Sequence, residues 1–222
     1  MAGHPSLIFS SELDRSKANL GNHAPGCPAL PPAAAFAEGT LIETGSGLAP
    51  VETLEPGGCV VTRGQGLMRV VWVGMSIIEA PDSEDRPVMI RPGALGAGMP
   101  GRGLVVAPDH RVLLSRDRAA RLFGATDMLV AARDLKGMPG VVTCASRRLA
   151  LVHVLLERHD LIRAEGVWAE TFEPTESALA ALSPCLRDCL LSTAPRLRFA
   201  STRAAFANVR PVLDARELAQ VF

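Results

Sequence analysis

Short hydrophobic runs alternate with turn residues along the middle of the chain. Many of the runs are rich in valine, isoleucine and leucine, which favour extended backbone, and glycine, proline or aspartate separates them. Gly64-Gln65-Gly66 joins two of the runs as a predicted hairpin. The pattern therefore predicts a mainly β domain. Its predicted strands are Thr40–Glu43, Cys59–Thr62, Leu67–Ile78, Val88–Ile90, Leu104–Ala107, Arg111–Leu114, Val141–Cys144, Leu149–Glu157 and Leu161–Ala164.

The segments on either side of this β domain have a different character. Residues 1–34 are interrupted by proline and glycine, which disfavour helices and central strands, and are predicted to form an N-terminal arm or linker. Beyond Phe172, runs of alanine and leucine replace the β pattern and predict short helices. We therefore predict a β domain at 35–172 and a small helical appendage at 173–222.

Start signals mark the helices of this appendage. Thr175 is a predicted N-cap for the first helix, and Pro184 suits the first turn of the second. Asp214 and Glu217 have the three-residue spacing of a capping box, which predicts a helix near the C-terminus.

Charge and hydropathy argue against several classes of protein. Lys+Arg and Asp+Glu both total 23, so the net charge is zero and the phosphate attraction typical of nucleic-acid binders is not expected. No apolar run approaches the roughly 20 residues of a membrane span, and the N-terminus lacks the pattern of a secretory signal. We expect a cytoplasmic protein without nucleic-acid or membrane partners. The lysines are Lys17 and Lys136 only, which suits a GC-rich, bacterial genome.

The cysteines do not predict a disulfide framework. They are five in number, Cys27, Cys59, Cys144, Cys185 and Cys189, and most lie in apolar surroundings, which favours reduced thiols in the core. Cys185 and Cys189 share a predicted helical face, but no further His or Cys pair at zinc-finger spacing accompanies them. Core packing is therefore the favoured interpretation.

Two other motifs are weak evidence for chemistry. Gly96–Gly101 matches the G-x-G-x-x-G pattern of phosphate-binding loops, but Pro100 and Gly103 lead into a predicted strand, which favours a plain flexible loop. Ser115 lies near His110, but no G-x-S-x-G elbow presents the serine, which disfavours a hydrolase triad. No cofactor is expected from these patterns.

The histidines are stronger candidates. His110, with Asp109 before it, lies in a predicted tight turn between two strands, and His153 and His159 flank the apolar Val154–Leu156. A single histidine near a strand is usually structural, but imidazole titrates near neutrality and can transfer protons. These histidines, together with Asp109, are therefore the candidate catalytic residues.

Several longer phrases follow one another along the chain: Phe36–Ile42, Val51–Gly57, Val71–Gly74, Ile90–Gly96, Pro108–Leu114, His153–His159, Ala164–Phe172 and Arg210–Leu213. In this order they resemble the bacterial Hint (Hedgehog/intein) domain family, and Val51–Gly57 is the most distinctive of them. The resemblance implies a compact, pseudo-symmetric all-β Hint fold.

The resemblance also implies a chemistry. In the Hint family, which is similar to inteins and to the Hedgehog autoprocessing domain, a cysteine thiol attacks the carbonyl of the preceding residue and forms a thioester. The histidine of a Thr-x-x-His motif protonates the departing amine. Carried over to this sequence, His110 is that histidine, and His159 matches a later histidine of the C-terminal block.

This chain departs from the family pattern at the positions that carry the chemistry. Ala35 stands at the nucleophile position, and a methyl group cannot attack a carbonyl. Ala107 replaces the threonine of Thr-x-x-His, and Ala169-Glu170 stands where a splicing intein has His-Asn. Cys27 is a substitute nucleophile only if the N-terminal arm folds back.

Three hypotheses about function follow. The first is a degenerate, non-cleaving Hint domain with a binding or regulatory role. The second is an active autoproteolytic domain that cleaves its own N-terminal segment, in which another nucleophile or water attacks near Ala35, with His110 as acid and His159 or His153 assisting. The third is a module that binds a metal ion or a protein partner through a pocket formed by these histidines.

Overall fold

Fourteen strands form the framework of the protein in a computed structural model, which describes residues 34–79, 86–115, 121–146, 148–206 and 210–221. The strands are β1 (Phe36–Ala37), β2 (Leu41–Thr44), β3 (Gly47–Pro50), β4 (Cys59–Thr62), β5 (Gly66–Glu79), β6 (Val88–Ile90), β7 (Leu104–Val106), β8 (Arg111–Ser115), β9 (Asp127–Ala131), β10 (Val141–Thr143), β11 (Arg148–Leu156), β12 (Leu161–Ala164), β13 (Val167–Glu170) and β14 (Val212–Leu213). The predicted mainly β fold is confirmed. The predicted arm, up to residue 33, lies outside the described residues.

Each predicted strand overlaps an observed one, and the strands that are not predicted are the short β1, β3, β9, β13 and β14. Their partners explain their formation. Phe36 of β1 pairs with both β11 and β7. Strand β13 pairs with β12 across a tight turn in which Glu165 and Gly166 both have positive φ, 49° and 86°. Glycine adopts such angles readily, but a glutamate there is unusual.

Strand β5 connects the two halves of the sheet. Its first residues pair with β4 across the predicted Gly64–Gly66 hairpin, and the remainder, from Val70, pairs with β11. Along β5 every second residue is buried, as expected for a strand with one face on the core. The full strand order is β10-β6-β7-β1-β11-β5-β4-β2-β12-β13-β8-β9-β14, with β3 on β2. This order places β1 between β7 and β11.

The described segment after Phe172 contains the α-helices α1 (Glu176–Ala181), α2 (Pro184–Thr193), α3 (Ala200–Ala204) and α4 (Ala215–Val221). The predicted start signals are confirmed. The Thr175 hydroxyl accepts a hydrogen bond from the Ala178 amide at 3.1 Å, and Asp214 and Glu217 form a reciprocal capping box with distances of 2.8 and 3.0 Å. Within the described ranges, no helix is long and apolar enough to cross a bilayer.

The C-terminal segment packs onto the β framework. Leu186 and Leu190 of α2 share an apolar cluster with Trp72, Leu155 and Phe172. Strand β14 pairs in parallel with β9, and α4 adds Leu218 and Val221 to the main core. Residues beyond 172 therefore contribute a strand as well as helices.

Replacement of Gly74 by alanine should destabilise the protein by about 1–3 kcal/mol, because an added methyl group overpacks the core. A Cβ at this position would overlap the Trp72 indole and lie 2.9 Å from Leu186 Cδ1. Urea unfolding followed by tryptophan fluorescence measures the effect. The matched control is Gly101→Ala, where the nearest atom to the new Cβ is 3.9 Å away. Equal stability of the two variants would contradict this packing.

The cysteines in the described ranges are not fully buried, contrary to the prediction of core thiols. Cys185 is exposed, and Cys59, Cys144 and Cys189 are partly exposed; none of these four forms a disulfide. Cys185 begins the second helix on a side that faces solvent, so its spacing from Cys189 does not place both thiols in the core. Cys27 lies outside the described residues.

The predicted loop at Gly96–Gly101 contains turns and no helix, and strand β7 follows at Leu104. This arrangement agrees with the interpretation that its glycine pattern is not a phosphate-binding motif.

Candidate functional site

Ala34 and Ala35, the first described residues, lie in the protein interior. Their exposed fractions are 3% and 0%. The Ala35 carbonyl accepts a hydrogen bond from the Ala107 amide at 3.0 Å, and Phe36 then joins β1. The backbone just before β1 is therefore enclosed by β7, β11 and the turn after β7.

His153, on β11, binds the carbonyl group of Ala34. Its Nδ1 lies 2.9 Å from the Ala34 oxygen. A carbonyl oxygen only accepts, so Nδ1 carries the ring proton and Nε2 accepts from the Ser76 hydroxyl at 3.1 Å. Burial lowers the pKa of His153 from 6.5 to about 4. The ring is therefore a neutral hydrogen-bond donor to Ala34, and it contacts Trp72 and Phe172.

His110, in the turn between β7 and β8, binds the carbonyl group of Ala35. Its Nδ1 donates to the Ala35 oxygen at 3.0 Å, and its ring packs edge-on against Phe36 with centroids 4.4 Å apart. Burial lowers the pKa of His110 to about 4, against the opposing effect of the Ala35 carbonyl, and nearby His153 lowers it further. Nε2 lacks a hydrogen bond of ordinary geometry, although the Glu170 main chain lies beside the ring.

The arrangement polarises two consecutive carbonyl groups, and the side chain at position 35 between them is a methyl group. The Ala35 side chain belongs to an apolar cluster with Ala37, Ile78, Ala107 and Leu151. A methyl group in such surroundings has no lone pair with which to attack the neighbouring carbonyl carbon. Ala35 and Ala107 are therefore members of one apolar cluster.

A Hint domain model matches residues 34–176, which is more than half of the chain. The chain belongs to the Hint family. The matched region begins at the first described residue and ends at the start of α1, so it contains the whole carbonyl-binding arrangement.

Several solved structures of inteins and intein-like domains are similar to this chain. A crystal structure of a gp41-1 intein variant has 14% identity, covers 61% of this chain and 98% of its own, and has a TM-score of 0.39. The MchDnaB-1 intein has 15% identity, covers 62% and 99%, and has a TM-score of 0.37. A bacterial intein-like domain from Clostridium thermocellum has 12% identity, covers 62% and 97%, and has a TM-score of 0.39. No curated protein is detectably similar in sequence.

The Hint fold brings together two of the three histidines that the sequence singles out. His110 and His153 bind adjacent carbonyls, whereas His159 follows β11 and faces Glu170, with 3.7 Å between Nε2 and Oε2. Within the described residues, the three histidines do not form one set of metal ligands, and the set that exists there is His159, Glu170 and Glu173.

Asp109 has a different environment from that of the histidine beside it. Its carboxylate pairs with Arg133 at 2.6 Å, and its side chain is 35% exposed. The hydrogen bonds of the His110 ring do not involve this carboxylate. Its catalytic role remains a prediction from sequence, as do those of the histidines.

Charged side chains surround His159. Arg111 Nη1 lies 3.3 Å from Glu170 Oε2 and 3.4 Å from Glu173 Oε2. Burial raises the pKa of Glu170 to about 8, and Arg111 only partly opposes this effect. Burial also raises the pKa of Glu173, and burial, assisted by Arg111, lowers the pKa of His159 to about 4.

Sequence reasoning missed Ser76 and the acidic partners of His159. A usable signal existed for Ser76, because it is the polar residue on the buried face of β5, where Val70, Trp72 and Ile78 are its apolar neighbours. For Glu170 the signal in the sequence is weaker. It is the charged last residue of a strand whose other buried residues are apolar.

Proposed function

We propose that this Hint domain is a non-cleaving member of its family, which retains its own peptide at the cleavage position and has a binding or regulatory role. One observation carries the proposal. The carbonyls of Ala34 and Ala35 are held by His153 and His110, while the Ala35 side chain is a methyl group in an apolar cluster. The histidines that bind the two carbonyl groups are therefore present, whereas position 35 has no nucleophilic side chain.

The protonation state of His153 also argues against attack by water. A general base needs an available lone pair close to the attacking water. In His153 the Nδ1 proton is directed at Ala34, and the Nε2 lone pair accepts from Ser76. This ring can donate to the carbonyl, but it has no free lone pair with which to activate a water molecule.

Autoproteolysis with water or another nucleophile is the second candidate. It is favoured by the hydrogen bond from His153 to the Ala34 oxygen, at 2.9 Å. In the Hint chemistry the carbonyl before the nucleophile position is attacked, and a donor on its oxygen stabilises the negative charge that develops. The N-terminal segment would then be the substrate.

Intact-mass measurement of the full chain over days distinguishes the two candidates. The samples contain buffer alone, dithiothreitol or hydroxylamine, because the latter two release chains held by a thioester. We expect one full-length mass in every sample. A product ending near Ala34 would contradict the proposal. Disappearance of that product in His153→Leu, which removes the carbonyl donor, would then support autoproteolysis.

A further inference from the structure

His159, Glu170 and Glu173 converge from separate positions in the chain. His159 lies in the loop between β11 and β12, Glu170 ends β13, and Glu173 lies between β13 and α1. Their potential ligand atoms, one from each side chain, all lie within 4.8 Å of one another. Carboxylates alone often cluster without function, so the imidazole is the informative member of this group.

The His159 ring is buried, and only 1% of its side chain is exposed. Among the residues that the structure describes, neither Nδ1 nor Nε2 has a hydrogen-bond partner. The carboxylate of Glu170, at 3.7 Å, is too distant for a hydrogen bond. An unsatisfied buried polar atom costs about 1–3 kcal/mol, and such atoms in native proteins usually have a specific explanation. A ligand that binds the imidazole lone pair would supply one.

We propose that His159, Glu170 and Glu173 bind a divalent transition-metal ion of the zinc type. One imidazole nitrogen and two carboxylate oxygens form a donor set that zinc accepts with small changes in side-chain position. The imidazole argues against calcium and magnesium, which prefer oxygen ligands. Three protein ligands leave a coordination position for water or another group.

Arg111 occupies the place of the cation in the present arrangement. Its Nη1 lies between the two carboxylates, 3.3 Å from Glu170 and 3.4 Å from Glu173. The Arg111 side chain is 28% exposed, so its guanidinium has access to solvent when an ion displaces it. Metal binding and the Arg111 ion pairs therefore exclude each other. Because of this competition, the proposal predicts that removal of the Arg111 charge does not weaken metal binding.

The proposal is independent of the non-cleaving function. His159 is not among the groups that bind the Ala34 and Ala35 carbonyls. A metal site at His159 is compatible with a cleaving or a non-cleaving domain, and its failure leaves the proposed function unaffected.

Calorimetric titration of Zn²⁺ into the chelator-treated, reduced full chain tests the site. Glu173→Gln removes one ligand, and we expect zinc affinity at this site to fall by at least about tenfold. Arg111→Gln removes the competing cation, and we expect binding at least as tight as in the wild type. The matched control is Glu176→Gln, which neutralises an exposed carboxylate one turn away and should leave the affinity unchanged.

Three results would each overturn the proposal: no zinc binding by the wild type, the same affinity in Glu173→Gln, or weaker binding in Arg111→Gln. Circular dichroism verifies that the variants fold. A direct measurement needs no variant, because zinc should shift the NMR signals of the His159 ring nitrogens. Unchanged His159 signals in zinc-saturated protein would place the ion at the cysteines and refute the site.

Discussion

Acidification from pH 6.5 to pH 4 should unfold this protein, because its buried histidines take up protons when the chain unfolds. Burial lowers the pKa values of His110, His153 and His159 from 6.5 to about 4. A group whose pKa is lower in the folded state stabilises the fold fully above its unfolded pKa. That stabilisation is lost as the pH falls through the folded pKa.

The expected loss is comparable with the total stability of a domain. At about 1.4 kcal/mol per pH unit, each of these histidines lowers the free energy of unfolding by about 3 kcal/mol when the pH reaches 4. Together they lower it by roughly 9 kcal/mol. Small domains have a total stability of about 5–15 kcal/mol. Most carboxylates titrate below about pH 5, and Glu170, whose folded pKa is raised, opposes the decline, so a net decline between pH 6.5 and 5 comes from the histidines.

Glu170 has the opposite effect at higher pH. Burial raises its pKa from 4.5 to about 8, so the folded protein keeps a proton that the unfolded chain has released. Its contribution is fully present below pH 4.5 and is lost as the pH rises through 8. The free energy of unfolding should therefore be greatest near pH 6.5. Glu170→Gln should remove the alkaline decline and retain the acid one.

Urea unfolding at a series of pH values between 4.5 and 8.5 measures both effects. His159→Gln should remove about a third of the histidine contribution to the acid decline, since the three histidines have equal pKa shifts. Glu176→Gln, an exposed control, should leave the curve unchanged. A free energy of unfolding that is constant from pH 6.5 to 5 would mean that the folded protein protonates these imidazoles freely.

Replacement of Ala35 by cysteine should give a chain that hydroxylamine cleaves before residue 35. The new Sγ would attack the Ala34 carbonyl carbon, the C–N bond would break, and the amine of residue 35 would take up a proton, which leaves a thioester. Hydroxylamine then releases residues 1–34 as a hydroxamate. The His153 hydrogen bond already holds the oxygen of the attacked carbonyl. Intact mass measures both products.

Two further variants show whether the cleavage uses this site. In the Ala35→Cys background, His153→Leu should slow cleavage by about a hundredfold, because loss of one oxyanion donor has an effect of this order. Ala37→Cys places a thiol in the same apolar cluster, two residues further on, and should not cleave. Equal cleavage in both cysteine variants, or none in Ala35→Cys, would refute this account of the site.

Local patterns made the strands, helix caps and family membership predictable. The alternation along β5 and the capping residues Thr175 and Asp214 act over a few neighbouring positions, so the sequence records them directly. The short strands were not predictable in this way. β1 has two residues and forms because β7 and β11 lie on its two sides.

The sequence by itself determined that this is a β-rich Hint domain, that His110 lies in a turn, and that alanine stands at position 35. Only the tertiary structure decided what the histidines contact. His153 lies 119 positions from Ala34 along the chain, and His110 lies 75 from Ala35. Strand pairing brings them together, and burial then sets their protonation. Strand pairing also separates His159 from the other two histidines and places it beside Glu170.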